Sequence, residues 1–158
     1  MPPIVSVTPK IVVQSNDFDL TKEVEALTAD RTDVGALVSF LGLCRDENHS
    51  LEALELEHYP GMAETEITRI AKKAIERWPL QGLTVIHRFG RLRPGEQIVL
   101  VAAASAHRQA AFEAADFLMD FLKNHAPFWK KQHFASTEAP SWLEAKQTDE
   151  EALLRWNK

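Results

Sequence analysis

The stretch LTVIHRFGRLRPGEQIVLVAAASAHRQAAFEAADFLMDFLKNHAP, residues 83–127, decides the fold class. Residues 83–89 and 97–104 are dense in β-branched and apolar side chains and read as two strands, joined by a turn around Pro94-Gly95. A loop this short makes the pair antiparallel, because parallel neighbours need a long crossover. From residue 106 to about 125 the period changes. Ala111, Ala114, Leu118, Phe121 and Leu122 recur at three- and four-residue steps and share one helix face. Pro127 breaks the helix.

Working backwards, residues 63–78 carry Ile67, Ile70, Ala71, Ala74, Ile75 and Trp78 on one apolar stripe, and Pro79 stops that second long helix. Residues 51–59 alternate as a strand that ends at Pro60-Gly61, and 46–50 form a polar loop. Residues 35–43 are apolar enough to read as a buried strand. Leu20, Val24 and Leu27 make 19–27 a short helix, and 10–13 reads as an edge strand. Working forwards, 128–134 alternates like a strand, and Thr148-Asp149-Glu150-Glu151 has the capping-box pattern of a short helix. Paired strands with two long helices predict an α+β fold with a mainly antiparallel sheet.

A chain of 158 residues, 45% hydrophobic and 26% charged, is expected to be one domain over 1–158, with a short extension at about 1–9. Its formal net charge of -5 argues against a general nucleic-acid footprint, so an anion site must come from local cations. The lone cysteine, Cys44, excludes an intramolecular disulfide. Histidines 49, 58, 87, 107, 125 and 133 lack metal-ligand spacing, so no metal is expected. The first residues have no basic-then-apolar leader pattern, and no apolar run reaches membrane-spanning length. A cytoplasmic location is the expectation.

Three groups of residues could carry chemistry. Ser105-Ala106-His107-Arg108 opens the second long helix, with Ser105 as the expected N-cap. Cations in that first turn oppose the helix dipole, which suggests either an anion held there or two solvated side chains. Lys123 ends the same helix, and Lys130 and Lys131 follow in a strand whose alternation turns them to opposite faces. Arg45 stands at a strand mouth, where a guanidinium can clamp phosphate or carboxylate, or simply be solvated. Cys44 beside it reads as a small buried hydrophobe. Glu113, Asp116 and Asp120 read as the solvated side of the helix.

The order of several segments carries a resemblance. These are LEHYPGM at 56–62, RWPL at 77–80, VIHR at 85–88, SAHR at 105–108, FLMD at 117–120, Leu122-Lys123 and APFWKK at 126–131. Together they closely resemble the large subunit of molybdopterin synthases, over roughly residues 34–156. The resemblance implies an α/β-hammerhead fold and a central homodimer within a heterotetramer. Each large subunit binds one small ubiquitin-like sulfur carrier whose C-terminal Gly-Gly ends in a thiocarboxylate. Two such sulfurs convert cyclic pyranopterin monophosphate into the dithiolene of molybdopterin, a sulfurtransferase reaction of molybdenum cofactor biosynthesis that needs no further cofactor. The family's catalytic lysines fall on Lys123 and Lys130. Its substrate-binding positions fall on Leu43, Cys44, Arg45, His107, Arg108, Lys131 and Gln132. Lys146 stands where some relatives carry arginine, and the final residues lack Gly-Gly, as expected of the acceptor and not the carrier. Two other readings remain at this point: a non-catalytic module docking a ubiquitin-like partner, and a dimeric small-anion or nucleotide-binding protein suggested by residues 105–108.

Overall fold

The computed structural model describes residues 7–46, 49–135, 141–142 and 147–157, with the side chains of 141–142, 147–150 and 157 left aside. The first sheet is built from β1 (Lys10–Gln14), β2 (Ala36–Leu43), β4 (Leu80–Arg88) and β6 (Gln97–Ser105), in the order β1-β4-β6-β2. The second holds β3 (Leu51–His58), β5 (Gly90–Leu92), β7 (Phe128–Phe134) and β8 (Ser141–Trp142), in the order β5-β3-β7-β8. Only β1 with β4 is parallel; the other pairings among the described residues are antiparallel. The α+β expectation holds.

Period-two alternation assigns the faces of the first sheet. Leu83 and Val85 of β4, with Val99, Val101 and Ala103 of β6, turn to one side. There they meet Ile67, Ile70, Ala71 and Ala74 of α2 (Met62–Arg77) and Ala114, Leu118 and Leu122 of α3 (Arg108–His125). Each fully buried Ile or Leu contributes roughly 1.5–3 kcal/mol relative to exposure, so this layer is the main core. Ile86, Leu100 and Ala102 turn to the other side, against Phe18 and the Leu20 and Leu27 side chains of α1 (Leu20–Thr28). Asp19 caps α1, its carboxylate accepting from the Lys22 N–H at 3.1 Å.

Several expectations need correction. Residues 36–43 are not a buried strand. They form the open edge of the first sheet, with Phe40 and Leu43 40% and 52% exposed. The short strand β5 lies inside the turn read between 89 and 97 and pairs with β3 across the molecule. Ser105 is not the N-cap of α3. His107 takes that position, and the buried Ser105 hydroxyl donates to the Pro79 carbonyl at 2.9 Å. Asp116 and Asp120 are not merely solvated, because Arg155 binds both at 2.7 and 2.8 Å. Helix α4 (Gln147–Leu154) begins one residue before the proposed cap Thr148. Lys146 lies outside the described residues.

Gly35, just before β2, is required by close approach. A Cβ there would sit 2.1 Å from the Ala106 carbonyl oxygen, where α3 is entered. Gly61, at φ +83, turns the chain out of β3 into α2.

Candidate active site

A pocket of about 110 Å³ opens where β2, β3, β4, β6, α3 and β7 come together. Its apolar wall includes Phe40, Leu43, Leu56, Val99 and Phe128; its polar groups are Lys123, Lys130 and His87. Lys123 sits in the last turn of α3, where the helix dipole favours a cation. Lys130 reaches the pocket from β7, paired opposite Leu56 of β3. Its neighbour Lys131 points away, with Nζ 3.1 Å from Glu57 Oε1, and holds that carboxyl below its ordinary range. Strand alternation has therefore selected one lysine of the pair.

His87 is the group that sequence reasoning missed. Its place in an apolar strand carried a signal, since a buried polar side chain needs a reason. Its imidazole stacks on Phe128 with centroids 3.9 Å apart and 12° between planes, and Nδ1 lies 2.8 Å from the Arg88 carbonyl oxygen. Burial drives its pKa down to about 4; the Arg88 carbonyl opposes the shift, while Lys130, Lys123 and His58 add to it. The ring is neutral at physiological pH.

The remaining expected site residues divide by location. Leu43 lines the pocket mouth. Cys44 is 3% exposed, its backbone N–H donating to Glu96 and its thiol 3.9 Å from the Leu92 carbonyl. Burial pushes the thiol pKa up, which suits a packing role more than a nucleophile. Arg45 is exposed just beyond β2. Lys131 and Gln132 continue β7 without lining the pocket. His107 and Arg108 are exposed at the start of α3, with Lys123 at its other end. No group of three or more His, Cys, Asp or Glu placed to hold a metal occurs among the described residues.

The model of the MoaE protein family matches residues 13–125, most of the chain. The chain belongs to this family. It is 67% identical over 148 residues to the molybdopterin synthase catalytic subunit of Mesorhizobium japonicum, covering 94% of this chain and 93% of that one. The solved MoaE protein of Burkholderia ambifaria superposes with a TM-score of 0.81 at 45% identity, covering 95% and 99% of the two chains. The molybdopterin synthase of Staphylococcus aureus gives 0.75 at 28% identity, covering 87% and 97%. The family match begins within β1, runs through α3 and ends just before β7, so Lys123 lies inside it and Lys130 beyond it.

Proposed function

We propose that this chain is the catalytic subunit of a molybdopterin synthase and acts as a sulfurtransferase. It moves sulfur from a thiocarboxylated carrier tail to cyclic pyranopterin monophosphate. The observation that carries the reading is the pairing of Lys123 and Lys130, brought from different elements into one narrow, mostly apolar pocket. A Gly-Gly tail has no side chains and can enter such a pocket, and its anionic end meets two cations there. Phe40 and Leu43, exposed at the open edge beside the mouth, offer apolar surface for the carrier body to cover.

In this reading Lys123 and Lys130 flank the thiocarboxylate, stabilise the negative charge that develops as sulfur attacks the pterin, and assist proton transfer. As each C–S bond forms on the pterin a C–O bond breaks there, the cyclic phosphate opening in the process. The C–S bond to the carrier then breaks by addition of water, leaving a carboxylate on the carrier. Arg45, His107 and Arg108 bind the substrate phosphate and orient the ring. The reaction takes place in the cytoplasm, in a homodimer that binds one carrier per subunit.

The test is to mix the protein with thiocarboxylated carrier and cyclic pyranopterin monophosphate and assay dithiolene product. Lys123→Ala and Lys130→Ala should each nearly abolish product with Tm almost unchanged, and Lys131→Ala should do much less. Normal turnover in Lys123→Ala would remove the mechanism.

A further inference from the structure

His87 is a buried imidazole that lines the same pocket as Lys123 and Lys130, and the mechanism above leaves it without a task. Three observations define its state. Nδ1 lies at hydrogen-bonding distance from the Arg88 carbonyl, which can only accept, so Nδ1 carries the proton. In a neutral ring Nε2 is then left with a lone pair. The ring is fixed by its stack on Phe128, which sits two residues before Lys130 on the same face of β7. The titratable groups around it are Lys123 from α3, Lys130 from β7 and His58 from β3, while β2 and β6 contribute Phe40, Gly42 and Val99 to the same pocket.

We propose that His87 is a positioning residue for the catalytic lysines. The Arg88 carbonyl and the Phe128 stack lock its imidazole in one tautomer, so that Nε2 accepts a hydrogen bond from a lysine ammonium at the pocket floor. An acceptor with no negative charge is suited to this place. It holds the ammonium in one direction without neutralising the charge that the incoming anion needs, as a carboxylate would. A protonated ring would lose the acceptor and repel both lysines. The inference rests on the role given to Lys123 and Lys130 above.

Two measurements test it. The first, long-range proton–nitrogen NMR of the histidine rings in the free protein, needs no substrate. His87 should show the Nδ1–H tautomer and stay neutral down to about pH 5, well below the ordinary histidine range. An Nε2–H tautomer, or protonation near pH 6.5, overturns the proposal. The second compares His87→Phe, which keeps an aromatic ring on Phe128, with His87→Gln, which keeps an acceptor. His87→Phe should lower kcat about ten- to a hundredfold, the size of one hydrogen bond to a charged group. KM for the carrier should stay near its wild-type value, and the pH profile of kcat should shift. His87→Gln should recover most of the loss. Wild-type kcat and pH profile in His87→Phe, or equal loss in both variants, would mean that the ring only fills space. If His87→Phe does not fold, the wild-type tautomer decides alone. Absence of dithiolene product from wild-type protein would instead refute the functional reading and leave the NMR result standing.

Discussion

A proton on the His87 ring would sit away from water among Lys123, Lys130 and His58, and this has a consequence for stability. Unfolded, the ring titrates near its ordinary 6.5; folded, it does so at about 4. Between those values the unfolded chain binds more protons, so stability is full above pH 6.5 and falls as pH drops toward 4. The shift corresponds to on the order of 3 kcal/mol. Urea melts of wild type and His87→Phe should therefore diverge in slope against pH across that window. Parallel curves would mean that the ring is not neutralised by its site. Cys44 gives a second residue-scale prediction. Its burial should make it react slowly with alkylating agents until the protein unfolds, and Cys44→Ala should keep most activity at about 1 kcal/mol of stability. Fast alkylation of folded protein, or loss of turnover in a folded Cys44→Ala, would point to a covalent sulfur relay through Cys44. The two residues differ in legibility. Cys44 was readable as a small apolar filler at a strand end. The role of His87 depends on a carbonyl in its own strand and a ring from β7, which spacing along the chain does not reveal.

Among the elements, the helices were the most legible, because an apolar stripe along sixteen residues between Gly61 and Pro79 admits little else. Strand β2 was misread because apolar density cannot distinguish a strand enclosed by its sheet from one at an open edge. β5 is three residues long and gains its identity only from its partner β3. Asp116 and Asp120 of α3 were misread for a similar reason: their partners come from the far end of the chain. Asp120 accepts from the Trp156 indole, whose ring stands edge-on to Trp78 and Phe117 at 5.9 and 5.7 Å, with the Arg77 guanidinium 5.5 Å away. Trp156→Ala should therefore cost about 2–4 kcal/mol, measured by denaturant melts, although the residue does not line the pocket. A change under about 0.5 kcal/mol would show that this segment is only loosely docked.

At the scale of the whole molecule, helix α3 sets a geometric constraint on the proposed function, which gives substrate contacts to both of its ends. His107 and Lys123 are 16 positions apart at opposite ends of one unbroken helix, roughly 24 Å at 1.5 Å per residue. A pterin monophosphate cannot touch both. In the proposed function, a homodimer in which the start of one α3 lies near the end of the other would resolve the conflict and create two equivalent sites. Co-assembled Arg108→Ala and Lys123→Ala subunits, each inactive alone, should then recover part of the activity, because one site in the mixed dimer is intact. Verified mixed dimers that stay inactive would place the phosphate elsewhere on a single subunit. The pairing of the strands has another consequence, in the order of events as the chain is made. β1, β2 and β3 each find their partners far downstream: β1 at 84–88, β2 at 97–105, and β3 at 90–92 and 128–134. A nascent chain can close no ladder with its first three strands until β4 has emerged, and the second sheet can start with β5 but is not complete before β7 and β8. Such non-local closure is slow and exposes unpaired edges meanwhile. The lysine pocket is thus among the last features a growing chain can assemble, so shortened products of synthesis will lack activity and expose open strand edges.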